Sequence, residues 1–66
     1  MEVISLNRIK EVRVHLRVSQ IELARSAGIS QPFLHDLENN RRGAKPETMH
    51  RIADALGVTV ADLEVA

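Results

Sequence analysis

The chain contains no cysteine, no tryptophan and no tyrosine, and a single phenylalanine. Without cysteine, neither a disulfide framework nor a thiolate metal site is open to it; this suits a reducing compartment, and a cytoplasmic location is expected. No apolar run approaches the roughly 18 residues of a membrane span, and the N-terminus, MEVISLNRIK, lacks the charged-then-apolar order of a signal peptide. Neither membrane association nor targeting elsewhere is expected. No nucleophile-elbow pattern, phosphate-cradling loop or Cys/His pair occurs. His15, His35 and His50 fall in three separate segments, with no second ligand at i+3 or i+4 making a paired site on one face. These absences predict a chain that is not an enzyme, with no catalytic residue, no metal, no cofactor and no small-molecule ligand. Net charge is also absent, at zero, which taken alone argues against a nucleic-acid partner.

Charge distribution changes that inference. Residues 1–46 hold eight Lys/Arg against five Asp/Glu, whereas residues 47–66 hold Arg51 against Glu47, Asp54, Asp62 and Glu64. Such a dipolar chain can turn a cationic face to an anionic partner. Apolar residues at 44% and charged residues at 27% suit a folded globule rather than a disordered segment. Sixty-six residues make one domain, which buries only about 60% of the surface its unfolded chain exposes.

Local signals are densest between Ser19 and Glu38. Ser19-Gln20-Ile21-Glu22 is a capping box that starts a helix, and Ile21, Leu23, Ala24 and Ala27 supply its apolar positions. Gly28 provides the left-handed residue that ends it. Ile29 can plug the corner. Ser30 is a second N-cap, Pro32 sits in the first turn of the next helix, and Phe33, Leu34 and Leu37 form its apolar stripe. Two capped helices around a short glycine turn match the helix-turn-helix pattern.

The flanks carry support. Residues 1–5 have no helical period and are expected as a short arm, with Ser5 as N-cap of a helix starting at Leu6. Leu6, Ile9, Val12 and Leu16 share one face of that helix, and Arg13 lies on its edge, where partial burial calls for a carboxylate. Arg17-Val18 is a short link, with Val18 placed to staple against Leu23. Asn39 or Asn40 ends the helix after Phe33, and a turn-rich loop follows, carrying Arg41, Arg42 and Lys45. Pro46-Glu47 opens a helix buried through Met49, Ile52, Ala53 and Leu56 and stopped by Gly57. Thr59 and Asp62 cap a last short helix whose Val60 and Leu63 point inward. Residues 1–66 therefore predict a single all-α domain of five short helices, with the helix-turn-helix unit at 19–38.

Arg13, Ser19-Gln20, Glu22-Leu23-Ala24, Gly28-Ile29-Ser30, Leu37-Glu38-Asn39 and the run Ile52 to Val58 together resemble the Cro/phage-repressor type, or Xre-type, of helix-turn-helix DNA-binding domain. The resemblance covers roughly residues 6 to 64. It implies a compact five-helix lambda-repressor-like fold and sequence-specific binding of double-stranded operator DNA by a homodimer acting as a transcription regulator or repressor. It implies that Gln20 holds a phosphate at the N-terminus of the second helix. Gln31 then reads a base edge, adenine presenting the matching donor and acceptor. Ser30, Pro32, His35, Asp36 and Asn40 join the DNA-binding set, Pro32 through apolar contact such as a thymine methyl, with Arg41, Arg42 and Lys45 at phosphates. Arg13 and Glu38 are implied as an internal ion pair. Asn40 stands where glycine is frequent, a departure its tolerance of left-handed geometry accommodates.

Asp36 departs from the common pattern more seriously, since a carboxylate on the DNA face repels phosphate, although it can accept from a cytosine amino group. Asp36, zero net charge and the extra apolar residues Val3, Ile4 and Val14 motivate an alternative: an antitoxin-like or regulator-antagonist module whose main partner is another protein.

Overall fold

The computed structural model describes residues 7–65. Five helices follow in order: α1 (Ile9–His15), α2 (Gln20–Ala27), α3 (Gln31–Glu38), α4 (Pro46–Leu56) and α5 (Val60–Leu63). Among the described residues no strand forms; Asn7 and Glu64 make an isolated antiparallel bridge, and the Arg8 N–H donates to the Leu63 carbonyl at 2.8 Å. The first described residues are thus joined to the end of α5.

The expected caps set three of the five starts. Ser19 Oγ accepts from the Glu22 N–H at 3.0 Å, and Glu22 returns a carboxylate oxygen to the Ser19 N–H at 3.4 Å. Ser30 Oγ accepts from the Phe33 N–H at 3.2 Å. Thr59 and Asp62 form the reciprocal pair at α5, at 3.2 and 3.0 Å, and two backbone and side-chain bonds from Thr59 hold the Asp62 carboxyl below its ordinary value. The first helix corrects the expectation: it begins at Ile9, not Leu6. Arg8 stands at the N-cap without a side-chain bond, and Asn7, just before it, supplies the oxygen instead: its Oδ1 accepts from the Ile9 N–H at 3.0 Å while its Nδ2 donates to the Leu37 carbonyl at 2.9 Å. Ser5, Leu6 and the arm at residues 1–5 lie outside the described residues.

Helices α1 to α4 end alike. In each, a residue with positive φ follows the last turn: Arg17 (60°), Gly28 (70°), Asn40 (57°) and Gly57 (71°). The next N–H bonds back across the turn, as in Val18 to Arg13 O, Ile29 to Ala24 O, Arg41 to Asp36 O and Val58 to Ala53 O, at 2.9–3.1 Å. This is the Schellman closure, which satisfies carbonyls that the helix leaves without partners. Glycine and asparagine enter left-handed geometry easily; arginine does not.

The core draws on every helix. Ile9, Leu23, Leu34, Leu37, Met49, Ile52 and Leu63 are its largest fully buried side chains, each worth about 1.5–3 kcal/mol removed from water. Helix α2 packs most extensively on α4 and next on α3, so α2 ties α3 to α4, while α1 supports α3 from another side. Two apolar residues expected inside point out instead: Leu16 is 42% and Ile21 52% exposed. Leu16 caps α1 rather than continuing its face, and Ile21, next to Gln20, lies on the outer side of α2, leaving Leu23, Ala24 and Ala27 to fill the core.

Candidate nucleic-acid interface

A chain of side-chain hydrogen bonds crosses from the outer face of α3 into the core. Gln31, the first residue of α3, donates from Nε2 to Gln20 Oε1 at 3.2 Å. Gln20, the first residue of α2, donates from its own Nε2 to Glu38 Oε1 at 3.1 Å. Glu38 closes α3, and its side chain is 1% exposed. It also accepts from Arg13 Nε at 2.6 Å and Arg13 Nη2 at 3.0 Å, while Arg13 Nη1 donates to the Val18 carbonyl at 2.9 Å. The carboxylate thus receives three charge-balancing or polar donors, and a fork-to-fork ion pair of this kind fixes direction as well as charge. The arrangement ties α1, the α1–α2 turn, α2 and both ends of α3 together. Both amides acquire one orientation from it: Gln20 presents oxygen to Gln31 and nitrogen to Glu38.

Gln31 keeps chemistry in reserve. Its Nε2 spends one hydrogen on Gln20, which leaves a second N–H and the Oε1 acceptor for a partner outside the protein. Together with Gln20, Pro32 and His35 it lines a shallow hollow of about 220 Å³ on the outer face of α2 and α3. A larger hollow, about 420 Å³, lies among Arg8, Glu11, Val12, His15, Leu16, Val58 and Asp62 and shares no residue with it. Arg8 and Glu11 pair there at 3.0 Å, and their hydrogen bond, with the charge attraction next, holds the Glu11 carboxyl below its ordinary value.

Among the described residues, the remaining expected ones make no side-chain hydrogen bond to the amide chain. Ser30 is occupied as an N-cap. His35 is exposed and Asp36 half-buried one turn beyond Gln31 and Pro32. Asn40 is the left-handed residue after α3, Arg41 and Arg42 are exposed in the following loop, and Lys45 stands at the N-cap of α4 without a side-chain bond. The Arg42 guanidinium lies over the Phe33 ring, 4.9 Å from its centroid. Asn39, which is not expected in the set, bonds to His35: its Nδ2 donates to the His35 carbonyl at 2.8 Å and lies 3.4 Å from His35 Nε2. The i,i+4 spacing of these two residues is the sequence signal for it. His15 and His50 lie apart, on α1 and α4.

The described residues span about 29 × 22 × 18 Å, a size at which one exposed helix can follow a groove. A profile of the helix-turn-helix family matches residues 9–63. The chain belongs to the Xre-type helix-turn-helix family. It is a family of regulatory DNA-binding domains rather than of enzymes. Over 54 residues the chain is 35% identical to the immunity repressor protein of Bacillus phage phi105, covering 82% of this chain and 38% of that protein. Over 56 residues it is 38% identical to the HTH-type transcriptional regulator DdrOP3 of Deinococcus deserti, covering 85% of this chain and 43% of that one. The chain therefore spans about two fifths of the length of these curated relatives. Among solved structures, the clp gene regulator ClgR from C. glutamicum superposes with a TM-score of 0.79 at 31% identity, over 82% of this chain and 70% of ClgR. The restriction-modification controller protein C.AhdI from Aeromonas hydrophila superposes with a TM-score of 0.81 over 83% of each chain, and at 24% identity speaks to the fold alone. Among the described residues of this helix-turn-helix domain, no helix is long and apolar enough to cross a membrane.

Proposed function

We propose that the chain is a sequence-reading DNA-binding regulator that lays α3 in the major groove. The observation that carries this reading is the hydrogen-bonded chain from Gln31 through Gln20 to Glu38 and Arg13. It holds an amide with one free donor and one free acceptor at the exposed start of α3, the combination that pairs with an adenine edge. Gln20, at the N-terminus of α2, takes a phosphate with help from the free N–H groups there. Arg41, Arg42 and Lys45 add phosphate contacts that position the domain without selecting sequence. Pro32 offers an apolar surface to a thymine methyl. Asp36, an acceptor-only group, matches a cytosine amino group. Repression or other transcriptional control, as in the phage immunity repressor and DdrOP3, is the regulatory role that fits. One such domain covers too little DNA for strong discrimination, so it acts as a two-fold homodimer on half-sites about 34 Å apart.

Selection from a randomised duplex pool at moderate salt tests the reading. An enriched motif with two-fold symmetry is expected. A pool that stays random after repeated rounds, with a stoichiometric protein captured instead, would replace it with the protein-partner alternative.

A further inference from the structure

The opposite flank of α3 carries a second fixed group. Phe33 is the only aromatic residue of the chain; it is half-buried and packs against the core, and its N–H is held by Ser30. The Arg42 guanidinium carbon lies 4.9 Å from the ring centroid, within the range of a cation–π contact. We infer that Phe33 is a positioning residue that presents the Arg42 guanidinium to a backbone phosphate beside α3, an inference that rests on the DNA-binding reading above.

Three features support it. The attraction is between charge and ring face and uses no hydrogen-bond acceptor, so N–H groups of the guanidinium fork remain for phosphate oxygens. Among the described residues Arg42 makes no ion pair and no hydrogen bond that would compete. The loop that carries it is tied on both sides: Asn40 turns left-handed and the Arg41 N–H bonds to the Asp36 carbonyl at 2.9 Å before it, and Ala44 is buried, 1% exposed, after it. An arginine on an exposed loop otherwise loses its rotamer freedom when it binds; one already laid on a ring has lost much of it beforehand.

The test compares affinity for a selected duplex among wild type, Phe33→Leu, Phe33→Tyr, Arg42→Ala and the double variant Phe33→Leu/Arg42→Ala. Phe33→Leu, which keeps an apolar side chain but removes the ring, should bind about two- to fivefold more weakly. Phe33→Tyr, which keeps the ring, should bind like wild type. Arg42→Ala should flatten the salt dependence by about one unit of slope, and adding Phe33→Leu to it should cost nothing more. Additive losses, or a tyrosine variant as weak as leucine, would overturn the inference while leaving DNA binding intact. A wild type that binds no duplex at low salt would instead remove the functional reading and this inference with it. The free protein supplies a readout that needs no variant. Arg42 δ-methylene resonances should be moved upfield by the ring current, and random-coil positions would count against the stack.

Discussion

Glu38 is the residue on which the outer face of α3 depends. Its carboxylate is buried and receives Arg13 and Gln20 together, so removing either charge leaves the other without its partner in a poorly solvated place. Arg13→Ala and Glu38→Ala should each cost about 3–5 kcal/mol in denaturant melts. A loss below about 1 kcal/mol for Arg13→Ala is the value of an exposed pair and would contradict the burial. Gln31 is exposed, so Gln31→Ala should leave the melt nearly unchanged and relax discrimination at one base position by about 1–3 kcal/mol. Arg41→Ala should weaken binding to every duplex alike. These residues were legible in unequal degree. Gln20, Gln31, Arg13 and Glu38 stood out because their types and spacing fit a recognised pattern. Asn7 and the stack of Arg42 on Phe33 did not, because the first bridges α1 to the end of α3 across thirty positions and the second depends on a loop folding back along a helix.

At the scale of elements, the helix ends decide most of the local structure. Arg17 sits in left-handed geometry at φ 60°, where Gly28 and Gly57 occupy the equivalent positions of α2 and α4. Arg17→Gly should therefore stabilise the fold by about 0.5–1 kcal/mol, and Gly28→Ala, which meets no atom within 4 Å, should lose about 1 kcal/mol through backbone strain alone. Thermal melts of the two variants check both signs. The α5 cap makes stability depend on acid. Asp62 is held below its ordinary value of 3.8, so its contribution is complete above that pH and disappears as pH falls through the lower folded value. The melting temperature should drop on acidification below about pH 4, and part of that drop should vanish in Asp62→Asn, which is already without the charge. Helices α2 to α5 were visible from serine, threonine, proline and glycine at their ends. The start of α1 was not, because Leu6 continues the apolar spacing while the capping oxygen belongs to Asn7. Spacing puts Ile21 and Leu16 inside for the same reason: it does not register that a residue beside a helix end faces outward.

For the molecule as a whole, zero net charge hides a division along the chain. The loop after α3 carries Arg41, Arg42 and Lys45, and the later segment carries Glu47, Asp54, Asp62 and Glu64 against Arg51. On the proposed reading, in which the loop cations meet phosphate, association with DNA should be strongly salt-dependent despite the neutral total. The fold was readable because α2 to α5 each bring start signals and an apolar face; the direction in which the Gln20 and Gln31 amides point was not, since it comes from Glu38 beneath them. The most direct test of the account is the ratio of dissociation constants of the purified chain for a selected duplex and for a scrambled one, measured at two salt concentrations. The account predicts tighter binding to the selected duplex at both, with both affinities falling as salt rises. Equal affinity for the two duplexes, or binding that salt does not change, would contradict it.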